Sequence, residues 1–225
     1  MPKNTKSVLI IGATGALGLQ VIRHLAEEPT VTEIHVFCRN SSKLSESDKR
    51  VCDSIITGDA RRALDVERAL AQSKADYVVL ATGNGADVRK TDTRQKTGEA
   101  LARVMHKPAF QHVKAVIVSS HGAGETKIKV GMGIGMMIAH HLRHVLADHT
   151  LQEQAFDGLM DRTLIVRPTA LTDDKSGKDL VEFNGNQKGP SINIDRSDLA
   201  GWIAREISAD SADFRGRKLS LTSSK

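Results

Sequence analysis

Two spacings of hydrophobic positions alternate along the chain. Short apolar runs recur at residues 7–11 (SVLII), 33–38 (EIHVFC), 53–57 (DSIIT), 76–81 (DYVVLA), 113–119 (VKAVIVS) and 162–166 (RTLIV). Runs of this length suit strands buried on both faces. The segments between them carry apolar residues at helical spacing. Residues 16–28 place Leu17, Val21, Ile22 and Leu25 on one face, and Pro29 stops the pattern. Residues 61–72 and 92–106 also read as helices, the second ending before Pro108. A further helix is predicted from about 136 to 158, and another over 197–208, where Leu199, Ile203 and Ile207 align. Residues 122–135 are expected to form a loop, and the polar stretch 172–189 to be irregular. Residues 191–194 and 218–221 read as short strands.

Strands alternating with helices imply a parallel sheet built from βαβ units. The leading topology is a three-layer Rossmann fold of the α/β class. It is doubly wound and mostly parallel, in the order 3-2-1-4-5-6, with a short C-terminal strand. The 225 residues suit one such domain, and no repeat or linker divides them. Residues of about 170–195 are expected to form a small cap facing a substrate.

The first strand is followed by Gly12-Ala13-Thr14-Gly15-Ala16-Leu17-Gly18, which opens the first helix. Glycines in that context permit a tight turn, a close backbone approach to a diphosphate, and close helix–strand packing. The free N–H groups and positive dipole end of the helix then face the anion. The motif therefore predicts a dinucleotide site. A tight turn that binds nothing is the plain alternative.

The tip of the second strand refines this. An NAD site usually places a carboxylate there for the ribose diol. Here the sequence runs Arg39-Asn40-Ser41-Ser42-Lys43, without an acid. A guanidinium fork and serine hydroxyls suit a 2′-phosphate, so the cofactor is expected to be NADP(H). The net charge of +5 is mild, and the cations are scattered among 27 acids with few aromatics. This argues against nucleic acid as a partner. Cys38 and Cys52 form no CxxC pair and are expected as free thiols. No apolar run approaches the roughly 20 residues that span a bilayer, and no signal peptide is evident. A cytoplasmic protein, monomeric or homodimeric, that acts on a small molecule is the expectation.

Further motifs follow the later strands: Gly58-Asp59-Ala60, Ala81-Thr82-Gly83, Val118-Ser119-Ser120, Val166-Arg167-Pro168-Thr169 and Arg196-Ser197-Asp198-Leu199-Ala200. With the glycine motif, their order resembles the atypical short-chain dehydrogenase/reductases of the NmrA-like and biliverdin-IXβ (flavin) reductase type. The resemblance implies that Asp59 and Ala60 border the adenine. It implies that Ala81, Thr82 and Gly83 line the diphosphate and ribose. Ser119 and Ser120 would sit beside the nicotinamide, and Arg167, Pro168 and Thr169 would close over it.

Many relatives use a Tyr–Lys pair as proton donor. The sole tyrosine here, Tyr77, lies inside the fourth strand. The expected activity is NADPH-dependent hydride transfer to a small conjugated acceptor, such as a flavin, quinone, tetrapyrrole or related carbonyl, without a catalytic tyrosine. Ser120 is the leading candidate to touch the acceptor, with His149 and Glu153 as candidate proton donors. A non-catalytic NADP(H)-binding sensor of NmrA-like type is the alternative. His140 and His144 share a helical face but lack a third ligand, so no metal is expected. Gly131-Met132-Gly133-Ile134-Gly135-Met136-Met137 is glycine-loose and apolar, and reads as a lid or as a loop tucked into the core or an oligomer contact.

Overall fold

The computed structural model describes residues 5–85, 87–131, 133–174, 177–209 and 216–224. Each of the six long apolar runs forms a strand: β1 (Lys6–Ile11), β2 (Val31–Cys38), β3 (Ser54–Thr57), β4 (Tyr77–Leu80), β5 (Lys114–Val118) and β6 (Thr163–Pro168). They are followed by β7 (Ala170–Thr172), β8 (Leu180–Phe183), β9 (Asn193–Asp195) and β10 (Lys218–Ser223). The main sheet runs β3-β2-β1-β4-β5-β6-β10-β8, the expected doubly wound order extended at one edge. Its pairings are parallel except at the β8–β10 edge. β7 and β9 form a separate parallel pair.

The helices are α1 (Ala16–Leu25), α2 (Glu46–Arg50), α3 (Ala63–Ser73), α4 (Thr93–Met105), α5 (Ile134–His141), α6 (Arg143–Gln154) and α7 (Arg196–Ala209). Successive strand residues point to opposite faces, so the sheet divides the interior into two cores. On one side Val8, Ile10, Val36, Val79 and Val116 meet Leu17, Val21 and Ile22 of α1 and Leu199 and Ile203 of α7. On the other, Leu9, Ile11, Val78, Leu80 and Ile117 meet Val66 and Leu70 of α3 and Leu101 and Met105 of α4. Among the described residues no helix is long and apolar enough to cross a membrane.

Several boundaries differ from the sequence expectation, for identifiable reasons. α1 ends at Leu25 rather than 28, and Glu28 N–H bonds the Leu25 carbonyl in a closing turn. The residue before Pro29 is steered away from helical geometry, which favours an early stop. The helix expected over about 136–158 is broken at Leu142 (φ −89°, ψ 4°) into α5 and α6. Arg143 donates to the His140 carbonyl at that break (3.0 Å). α5 also begins inside the stretch expected as loop. β8 lies inside the polar stretch 172–189: it is a four-residue edge strand, too short to register as a periodic pattern. α2 is likewise five residues long, held by the Ser45 hydroxyl, which accepts from Asp48 N–H. Met132 and residues 175–176 of the two unusual stretches lie outside the described residues.

Candidate functional site

The turn after β1 requires its first glycine. Gly12 has φ +93°, and a Cβ there would lie 2.5 Å from the Ala81 carbonyl oxygen at the end of β4. Gly15 N–H returns to the Gly12 carbonyl (3.0 Å) and closes the turn. A Cβ on Gly18 would overlap the Gly12 carbonyl and the Ala13 backbone, so α1 packs directly on the turn. No acidic side chain occupies the first turn of α1, and Gly15 offers no side-chain cap. The helix N–H groups and dipole are therefore left for an external anion.

This turn forms one wall of a cleft of about 590 Å³ that lies over the carboxyl ends of β1–β4. That volume is typical of a ligand site, at the place where open α/β sheets bind ligands. Of the residues singled out from sequence, Gly12, Thr14, Gly15, Arg39, Lys43, Asp59, Ala60, Ala81, Thr82 and Gly83 line it. Ala16 is exposed at the start of α1, while Leu17 and Gly18 are buried behind the turn. Ser41 and Ser42 lie in a 3-10 turn held by Asn40, whose Oδ1 accepts from Ser42 N–H (2.9 Å). That turn precedes Lys43 at the cleft rim.

Arg61, Asn84, Thr93 and Thr97 also line the cleft and were not foreseen. Arg61 matters most. Its guanidinium grips Asp59, with Nη2 2.7 Å from Oδ2. The bond to Arg61 holds the Asp59 carboxyl down to about 2, and the charge of Arg39 adds to the effect. Arg39, Lys43 and Arg61 thus outnumber the two carboxylates of the lining, Asp59 and Asp87, the second of which pairs with Arg89. The only sequence signal for Arg61 was its place just after Gly58-Asp59-Ala60.

A second cavity of about 150 Å³ lies over the ends of β5 and β6. Ser120 and Thr169 reach it, as does His121, which sequence reasoning passed over. Its apolar wall comes from Ile128, Val130, Ile138, Leu142, Phe183 and Ile192. The His121 ring lies 5.0 Å from that of Phe183, and His121 N–H bonds the Pro168 carbonyl (2.8 Å). Burial pushes the His121 imidazole down, against a hydrogen bond to the Lys127 backbone, so it is neutral at neutral pH. Its Nδ1 is buried without a partner among the described residues.

The remaining expected site residues form the support beneath this cavity. Arg167 is 1% exposed and Glu153 2%. Arg167 Nε donates to Glu153 Oε1 (2.9 Å), and its two terminal nitrogens hold both oxygens of Glu125 (2.7 and 2.9 Å). Ser119 Oγ donates to the same Glu153 Oε1. Ser119, Glu153 and Arg167 therefore spend their polar atoms on one another, and Pro168 is buried beside them. The Arg167 contact holds Glu125 down to about 2. Gly124 (φ +59°) admits the guanidinium, since a Cβ there would sit 2.5 Å from Arg167 Nη2.

His149 lines neither cavity. It is buried on α6, with Nδ1 3.3 Å from Gln152 Oε1, and burial pushes its imidazole down to about 3, with Arg94 adding to the shift. Next to it, Asp148 accepts from the N–H groups of Arg94 and Gln95 (3.1 and 2.9 Å) and caps α4. Tyr77 begins β4, at the end of the strand opposite the cleft, and accepts from Lys114 Nζ (3.3 Å). Among the described residues no cluster suited to a metal ion occurs, around His140 and His144 or elsewhere.

This fold and glycine-walled cleft define a dinucleotide-binding protein of Rossmann type. A family model described as NAD(P)H-binding matches residues 12–210, and the chain belongs to that family. The match agrees with the resemblance to atypical short-chain reductases. Over 87 residues the chain is 38% identical to a hybrid PKS-NRPS synthetase of Penicillium citrinum, a match to 37% of this chain and 2% of that one. The chain therefore spans a very small part of that relative's length. Among solved structures, it is similar to an NAD-dependent epimerase/dehydratase, so described, from Bacillus halodurans (22% identity, TM-score 0.75, 98% of this chain and 95% of that one). It is also similar to a short-chain dehydrogenase/reductase of Veillonella parvula in complex with NADP (14%, TM-score 0.75, 96% and 94%). A third is the anaerobilin reductase ChuY of Escherichia coli O157:H7 (17%, TM-score 0.70, 96% of each). At these identities the likeness is one of fold. The residues present fit a nicotinamide dinucleotide: a backbone cradle that a Cβ would fill, an uncapped helix start and three cations at the far rim.

Proposed function

We propose that the protein is an NADPH-dependent oxidoreductase that reduces a small conjugated acceptor without a tyrosine acid. The observation that carries this reading is the presence of two cavities over the carboxyl ends of one sheet, the first at β1–β4 and the second at β5 and β6. One is cationic and glycine-walled; the other is apolar. In this reading Arg39, Lys43 and Arg61 hold the 2′-phosphate, with Asp59 masked by Arg61. The Gly12–Gly15 backbone and the start of α1 hold the diphosphate. Asp59 and Ala60 border the adenine, and Thr82 and Gly83 the ribose. When bound, the dihydronicotinamide supplies a hydride.

Ser120 and neutral His121 offer the polar edge to the acceptor, while the apolar wall excludes water. The segment of about 170–195 acts as the cap on that side, through Ala170, Phe183 and Ile192. The buried Arg167–Glu153 pair fixes β6 beneath it. An acceptor that delocalises charge takes its proton from solvent, with the Ser120 hydroxyl offering a hydrogen bond, so the absence of a tyrosine acid costs it little. The test is a panel of FMN, quinones and linear tetrapyrroles with NADPH, followed at the nicotinamide absorbance band. Oxidation of NADPH with at least one acceptor is expected. Tight NADPH binding without turnover on any of them would sink the enzymatic reading in favour of a cofactor sensor.

A further inference from the structure

The apolar cavity has its own selectivity written into size and charge. Its volume of about 150 Å³ matches the dry cavities that accept one benzene ring, on the order of 150 Å³. One ring fills that space, and a flavin or tetrapyrrole would enter it with only part of its ring system. The charge around it is one-sided. Lys129 and Lys188 line the cavity, and no carboxylate does. Both lysines are exposed, and among the described residues neither takes part in an ion pair. Two acids of the support, Glu125 and Glu153, share Arg167, whose single charge offsets one of them. His121 adds no charge, because burial keeps it neutral.

We propose that this cavity takes a single-ring conjugated acceptor bearing a carboxylate, its ring against the apolar wall and its carboxylate between Lys129 and Lys188. Long lysine stems suit this arrangement: they cover apolar surface while the ammonium heads stay at the rim. The proposal rests on the acceptor assignment above but makes its own claim about ligand charge and size.

The probes are 4-fluorobenzoate and 4-fluorobenzamide, which share ring and shape and differ in charge. Each is titrated into the full chain by ¹⁹F NMR, with and without NADP⁺. The carboxylate is expected to bind about tenfold more tightly than the amide. The double variant K129Q/K188Q should erase that difference and leave the amide affinity unchanged. I138W, which fills the cavity, should abolish binding of both. Equal affinity for the two probes, no binding of either, or a preference that survives K129Q/K188Q overturns the proposal. NADPH titration of the same double variant keeps the two claims apart. If NADPH fails to bind even the wild type while fluorobenzoate binds, the cofactor reading falls and the anion site stands. If NADPH binds and fluorobenzoate does not, the reverse holds.

Discussion

Gly12 and Arg61 act on the dinucleotide cleft in opposite ways, one by having no side chain and one by folding its side chain back. At Gly12 a methyl group meets both a positive φ and the Ala81 carbonyl. The variant G12A should therefore lose NADPH binding and melt at lower temperature, as a thermal shift with and without cofactor would reveal. At the far rim, R39A removes one cation. R61A removes a cation and also unmasks the Asp59 carboxylate. Each is expected to weaken NADPH by about tenfold or more and to affect NADH little, measured as the ratio of dissociation constants. The place of Arg39 at the cleft was legible in the sequence because the strand tip after a glycine motif borders such a cleft. Arg61 was not, because its role depends on a side chain returning to a residue two positions earlier.

At the level of elements, Arg167 ties β6, α6 and the loop at Glu125 into one unit. R167M leaves Glu153 buried without its ion-pair partner, with only Ser119 donating to it, and breaking a buried pair in this way typically costs about 3–5 kcal/mol. Urea denaturation of the variant should show that loss. The resemblance implied that Arg167 and Ser119 sit at the nicotinamide end; both lie at the carboxyl ends of their strands, and both side chains turn inward to Glu153. A motif gives the strand end, not the rotamer, and burial decides the rest.

The α4–α6 contact carries a pH dependence. The unfolded chain protonates His149 near 6.5, but the folded chain does so only near 3. The unfolded state therefore takes up protons first, and this share of stability, full above about 6.5, is lost as pH falls toward 3. Glu125 and Asp59 act in the same direction at lower pH: both are held at about 2, and their contribution is lost as pH falls from the ordinary carboxylate range toward that value. Urea midpoints measured between about pH 7 and about pH 4 should fall in the wild type and fall less steeply in H149N.

For the whole molecule, the alternation of apolar runs and helical segments carried the sheet order. Each βαβ unit is local in sequence and has one favoured hand. The dinucleotide cleft followed, because its walls are the first residues after each strand. The second cavity was much less legible. Its wall joins Ile128, Ile138, Phe183 and Ile192, which are scattered over more than sixty positions and come partly from short elements the periodicity could not reveal. The break at Leu142, which sets α5 over that cavity, also had no signal in the sequence. The cationic cleft on which the functional reading rests is tested most directly by calorimetric titration of the wild-type protein with NADPH and with NADH. The reading requires NADPH to bind in one-to-one stoichiometry and at least about tenfold more tightly than NADH. Equal affinities, or no binding of either, would contradict it.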